Sequence, residues 1–345
     1  MDVKKVALFD YDPRPQLVTA ETIVSKAKFP AIDAHNHLRG IIDNLDSVRE
    51  YVQAMDECNV QAVTNLDGGW GKQLAQHLDV LNRFPGRFYV FAGINWDMID
   101  EPDFPERAVL QLEQSIRHGA RGLKIPKSLG LGVKTKDGQY LPIDTPKLDP
   151  VWIRCGELGI PVLIHTGDPT AFFTPLDRHN ERLLELADHP DWLFADDEYY
   201  KKEELLEQRN RVIERHPGTK FIGAHVANLP EDLNQVEKWL EKHPNLYVDT
   251  SARLSELGRQ PYRAREFMIK YADRVILGTD GNAMGQPLDR MYRLHWRFFE
   301  TYDEYFDITE SHKFQGFWRV YGIKLPDDVL KRIYSENFLE LIGRK

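Results

Sequence analysis

Eight apolar runs bounded by turn residues recur along this chain of 345 residues, near 31–37, 60–66, 88–94, 120–125, 161–166, 220–226, 245–250 and 275–280. Amphipathic patterns with a helical period separate most of them, at 45–58, 71–84, 105–118, 149–158, 230–243 and 261–272. Strands that read as continuous apolar runs are buried on both faces, which calls for a parallel sheet covered by helices. Eight such units predict an α/β fold, a closed (β/α)8 TIM barrel. An open doubly wound sheet would normally carry a Gly-rich phosphate loop after its first strand. Here His37 is followed by Leu38-Arg39-Gly40, with no such motif.

Three segments fall outside the rhythm. Residues 1–28 show little periodicity and read as an N-terminal arm. Residues 167–219 are too long for a simple connection. They carry helical patterns at 179–188 and 202–215 and read as an insertion after strand five, over the barrel mouth. Residues 288–345 read as C-terminal helices, including 327–342. Residues 29–345 are thus expected to form one barrel domain. The aromatic-rich stretch 291–306 suits either a buried helix face or a subunit interface.

Composition removes several function classes. A net charge of −9 is the wrong sign for a nucleic-acid surface, which needs a basic stripe. No apolar stretch reaches membrane-spanning length. The start, Met1-Asp2-Val3-Lys4-Lys5, lacks the apolar core of a signal peptide. The expected compartment is the cytoplasm, or the periplasm if a leader preceded this numbering. Cys58 and Cys155 lie in helical patterns without a Cys-x-x-Cys partner. They read as small buried hydrophobes rather than a disulfide or a thiolate site.

The chemistry-bearing residues sit at strand ends, where barrel active sites are built. Strand one closes with Asp33-Ala34-His35-Asn36-His37. In an extended strand residues two apart share a face, so Asp33, His35 and His37 are expected to line one side. Two imidazoles at that spacing can grip one metal ion. Lys124 follows on strand four, His165 ends strand five, His225 ends strand six and Asp280 ends strand eight. A single histidine ending an apolar run would read as a satisfied core residue, and Asp280 beside Gly281-Asn282 also suits a turn cap. Convergence of all of them by one rule favours a site.

In that combination the chain resembles the amidohydrolase superfamily. It is closer to the amidohydrolase-related branch that includes aminocarboxymuconate-semialdehyde decarboxylase and several lactone hydrolases. The resemblance extends over 29–345 and includes the closing segment from Leu325-Pro326-Asp327-Asp328 to Asn337. It implies one metal held by His35, His37, His165 and Asp280. It also implies that His225 acts on the substrate or the attacking water, and that Asp33 orients a ligand. Zn2+ is the ion expected, one per chain, with Mn2+ the alternative. A bound Zn2+ lowers the pKa of its water to about 7; Asp280 can take that proton, and His225 can polarise a carbonyl or protonate a leaving group. In other superfamily members a strand-four lysine carries a carbamate between two metals. Lys124 stands in that place and would make two metals per chain if carbamylated. The reading favoured is a free ammonium that anchors a substrate carboxylate.

Arg39 and Arg253 are further candidates for a substrate carboxylate, and Trp70 for an apolar wall. The expected reaction is metal-dependent hydrolysis of a small polar or carboxylate-bearing lactone, ester or amide. Non-oxidative decarboxylation is the runner-up, and a non-catalytic metabolite-binding barrel is the rival of a different class. The expected partners are a small-molecule substrate and a second copy in a homodimer, with neither nucleic acid nor membrane.

Overall fold

The computed structural model describes residues 3–282, 288–308, 316 and 318–343. Met1 and Asp2 of the expected arm, and the remaining positions of the 288–345 segment, lie outside the described residues. The apolar runs form β1 (Ala31–His37), β2 (Val60–Asn65), β3 (Phe88–Ala92), β4 (Gly122–Ile125), β5 (Val162–Ile164), β6 (Phe221–Gly223), β7 (Leu246–Asp249) and β8 (Val275–Ile276). Each pairs in parallel with its neighbour in chain order. A short β9 (Gly281–Asn282) continues strand eight and pairs with β1 through Asn36 and His37. The link between β8 and β9 joins the same seam, since Ala34 N donates to Leu277 O at 3.0 Å and Asp280 N to His35 O at 2.8 Å. The sheet therefore comes round on itself, and the expected (β/α)8 barrel is the fold.

Helices between the strands cover the outer face. Their ends follow local chemistry: the Asn44 side chain accepts from the N–H groups of Asp46 and Ser47 at the start of Leu45–Glu57, and Asp232 caps Leu233–Lys242 through Gln235 N. Ile32, Ala34, Ala62, Phe91, Leu163, Ile222 and Ile276 fill the barrel interior with Phe338 from helix Asn337–Leu341. Phe338 packs 5.6 Å from the Tyr89 ring and 6.3 Å from that of Phe91. Asn337 donates to Val275 O at 2.7 Å. The C-terminal helix thus closes the end where the strands begin, and polar residues are left to the other end. Gly122 is required here, because a Cβ would stand 2.5 Å from the Phe91 ring.

Between β5 and β6 lie Thr170–Phe173, Leu183–Asp188, Pro190–Trp192 and Lys202–Arg215. The last of these is the helix of the fifth strand–helix unit. Residues before it are tied to the loops of neighbouring units. Lys127 pairs with Asp168 at 2.6 Å, and fully buried Arg182 pairs with Glu185 and Glu256. In helix Leu288–Glu300, Tyr292, His295, Trp296, Phe298 and Phe299 are all buried within the chain. The buried helix face expected of that stretch is formed by these five residues. Cys58 and Cys155 are buried and unbonded. Among the described residues no helix is long and apolar enough to cross a membrane.

Candidate metal centre

The site starts from a break in β1. Pairing with β2 shifts register between Asp33 and Asn36, and an extra residue in a strand resets which side chains face which way. Strict alternation puts Asp33, His35 and His37 on one face, and here the expectation fails. Ile32 and Ala34 point into the barrel. Asp33 and Asn36 turn toward the helices. Asp33 accepts from Thr279 Oγ1 at 2.5 Å, Tyr292 OH at 3.0 Å and Asn36 Nδ2 at 2.8 Å. Asn36 in turn accepts from Tyr51 OH. After the break, His35 and His37 face the strand-eight carboxylate. Asp33 thus meets His35 at its backbone N–H and not at its ring. It locks β1 to strand eight through Thr279 and the His35 backbone N–H, and burial raises its pKa.

His35 Nε2 and His37 Nε2 lie 3.4 and 3.3 Å from the same oxygen, Asp280 Oδ1. One donor atom from each of the three residues falls within 4.8 Å of the others, which is room for one ion. Each imidazole is braced from behind. Asp249 holds His35 Nδ1 at 2.8 Å and Asp67 holds His37 Nδ1 at 2.6 Å. This carboxylate–imidazole pairing leaves Nε2 free to ligate. Burial favours a neutral Asp280, but His35 and His37 outweigh it and keep the carboxyl well below its ordinary value. Burial and Lys124 work against protonation of His35, while Asp249 and Asp280 outweigh them and raise its pKa.

His165 and His225 complete the cluster, with rings 4.4 Å apart, and the His225 ring is 4.9 Å from that of His35. His165 stands outside the tight three-donor set; its Nε2 is 3.5 Å from Asp168 Oδ1. Burial lowers its pKa to about 4 and takes that of His225 well below the usual value, so both rings are neutral. Lys124 is buried, and burial pulls its ammonium down to about 8 against the attraction of Asp280 and Asp249. Among the described residues, the Nε2 atoms of His35, His165 and His225 and the Nζ of Lys124 are buried with no hydrogen-bond partner. An unsatisfied buried polar group costs about 1–3 kcal/mol, and four of them gathered beside one carboxylate fit a divalent ion and an anionic substrate. Neutral imidazoles with a carboxylate suit zinc, manganese or a related divalent ion.

The amidohydrolase family matches residues 32–344. The chain belongs to the amidohydrolase family. It is an enzyme of the amidohydrolase superfamily, on the amidohydrolase-related branch. No curated protein matches the sequence. Among solved structures, 2,6-dihydroxybenzoate decarboxylase from Rhizobium is similar at 15% identity and a TM-score of 0.55, covering 91% of this chain and 99% of that one. Dihydroxybenzoic acid decarboxylase from Polaromonas sp. JS666, with bound manganese and 2-nitroresorcinol, is similar at 16% identity and a TM-score of 0.57, covering 91% and 97%. 4-Oxalomesaconate hydratase from Rhodopseudomonas palustris is similar at 14% identity and a TM-score of 0.55, covering 91% and 96%.

Other residues of this amidohydrolase fall less centrally. Arg39 pairs with Asp67 at 3.1 Å and its side chain is 60% exposed, so it reaches His37 from the rim. Trp70 stands partly exposed on the loop after β2. Arg253 is buried after β7, donates to Ala252 O at 2.9 Å and leaves its Nε unpaired. A second group, His35, His225 and Asp249, also gathers three donor atoms, but the Nδ1 atoms of both its imidazoles are already in hydrogen bonds. Asp67, Asp249 and Ser251 were not among the sequence candidates. A signal for the two acids was present, since each closes or directly follows an apolar strand run as His35 does. A search for ligands passes over the groups that orient them.

Proposed function

We propose that this amidohydrolase is a metal-dependent hydrolase of a small carboxylate-bearing lactone, ester or amide. The observation that carries the reading is Asp280, held ionised and within 3.4 Å of both strand-one Nε2 atoms. His35, His37 and Asp280, with His165 as the fourth donor, would hold one ion, Zn2+ before Mn2+. Such an ion supplies a water acidic enough to ionise near neutrality and polarises the substrate oxygen. Asp280 takes the proton released as water adds to the carbonyl. His225 donates its Nδ1–H to Ser251 O at 2.9 Å, so its Nε2 offers a lone pair. That Nε2 takes the same proton on from Asp280 and delivers it to the leaving group as the bond to the carbonyl carbon breaks. Lys124 holds the substrate carboxylate as a free ammonium, and Arg253 is the second anchor.

Non-oxidative decarboxylation is the second reading, supported by the activities named for two of the similar structures. Both reactions call on the same residues. They differ in where the proton ends: on the leaving group in hydrolysis, on the carbon that loses CO2 in decarboxylation. A panel of lactones, esters, amides and aromatic carboxylates, run in 18O-water with CO2 detection, separates them. Incorporation of 18O into a carboxylate product supports hydrolysis. CO2 release without 18O uptake in the organic product replaces it with decarboxylation. A homodimer is the proposed assembly, to be read by light scattering in solution.

A further inference from the structure

Asp249 ends β7 and is fully buried. It stands outside the His35, His37 and Asp280 set, yet its carboxylate reaches both halves of the site. Oδ2 lies 2.8 Å from His35 Nδ1. Oδ1 accepts the backbone N–H of His225 at 2.8 Å, that of Ser251 at 3.1 Å, and the Ser251 hydroxyl. The hydroxyl oxygen also lies 3.0 Å from His35 Nδ1 and 3.0 Å from His225 Nδ1. A serine has one proton to give. Given to Asp249, it leaves lone pairs for both imidazoles. A carboxylate and a carbonyl only accept. His35 Nδ1, against Asp249, and His225 Nδ1, against Ser251 O at 2.9 Å, must therefore each carry the ring proton. His225 Nε2 then presents a lone pair, as does His35 Nε2 whenever that ring is neutral, and among the described residues neither buried atom has a hydrogen-bond partner. The packing leaves no slack: a Cβ on Gly278 would stand 2.8 Å from His35 Cβ and 3.2 Å from Ser251 Cβ.

We propose that Asp249 is a positioning residue that fixes the tautomer of His35 through Oδ2 and, through Oδ1, holds the His225 and Ser251 backbone so that the Ser251 carbonyl fixes the tautomer of His225. One buried carboxylate thereby orients the imidazole assigned to the metal and the imidazole assigned to the substrate. The metal consequence rests on the ligand role given to His35 above; the tautomer consequence does not.

Asp249→Asn is the test. In that variant the two backbone N–H groups hold the side-chain oxygen in the Oδ1 place, which turns the amide NH2 toward His35 Nδ1. That nitrogen must then accept, and the ring proton moves to Nε2, where it removes the lone pair a metal needs. The readouts are 15N-histidine NMR of the metal-free full chain and Mn2+ binding. In the wild type both rings are expected to carry hydrogen at Nδ1, His225 as the neutral Nδ1–H tautomer. In Asp249→Asn the His35 signal is expected to change to Nε2–H while His225, still held by Ser251 O, keeps its form. Mn2+ affinity is expected to fall at least ~10-fold, the usual effect of losing such a brace. A folded variant with an unchanged His35 tautomer overturns the proposal. If the variant does not fold, the wild-type spectrum decides, because either ring in the Nε2–H form overturns it. A wild-type chain that binds no Mn2+ or Zn2+ would fail the metal reading, and the tautomers would still decide this one.

Discussion

At the scale of single residues, the site separates by protonation. Lys124 carries a charge that burial resists, so its ammonium is lost near pH 8 rather than at about 10.4. If it holds the substrate carboxylate, KM rises as pH goes up through about 8, and Lys124→Met removes that rise while raising KM at pH 7. The same shift acts on stability with a definite sign. Between about 8 and about 10.4 the unfolded chain binds the extra proton, so this lysine makes the fold more stable with rising pH in that window. Urea titrations at pH 7.5 and 9.5, with Lys124→Met as control, read that term. His225 makes a complementary prediction. His225→Asn is expected to keep its metal content and lose about 10²–10⁴-fold in turnover. Loss of metal as well would move His225 into the ligand set.

At the scale of elements, the strand positions were legible because burial on both faces writes an apolar run that few other structures share. What was not legible is where each strand leaves the ladder. Runs read as 161–166, 220–226 and 275–280 keep regular strand form only over Val162–Ile164, Phe221–Gly223 and Val275–Ile276. The chain bends away as it delivers its functional residue. His225, Ala252 and Asp280 all have left-handed backbones, with φ of 57°, 53° and 58°. Such positions cost about 1–3 kcal/mol each and persist only where surroundings hold them, which no local periodicity announces. The register shift in β1 escaped for the same reason, and with it the outward turn of Asp33. The turn His225–Asn228 keeps φ near 57° at four successive residues. Asn228 clamps it, accepting from Thr166 N at 2.9 Å and donating to Gly167 O at 3.3 Å. Asn228→Ala leaves Thr166 N buried without its acceptor and puts alanine at an unfavourable φ. Denaturant unfolding is expected to show a loss of about 1–3 kcal/mol, with turnover falling as His225 and the β5 loop lose their mutual alignment.

At the scale of the whole molecule, the barrel spends one end on packing and the other on chemistry. Phe338 and Asn337 seal the strand starts, while the strand ends converge three imidazole nitrogens and a lysine that have no hydrogen-bond partner among the described residues. A fold that leaves such groups buried is less stable without the ion than with it. A ligand that binds only the folded state adds RT ln(1 + [L]/Kd), about 2.7 kcal/mol at a hundredfold excess over Kd. Unfolding entropy of about 2.1 cal/mol/K per residue, over 345 residues, converts that to a shift of about 4 °C. Chelated protein is therefore expected to melt about 4 °C below protein resupplied with Zn2+ or Mn2+ at that excess. His35→Ala should show no such rise, since its remaining donors no longer close around an ion. An equal melting temperature with and without the ion in the wild type would reject metal linkage, and the buried Nε2 atoms would then need a substrate or ordered water to satisfy them. A rise that survived in His35→Ala would place the ion elsewhere, on donors that do not include β1.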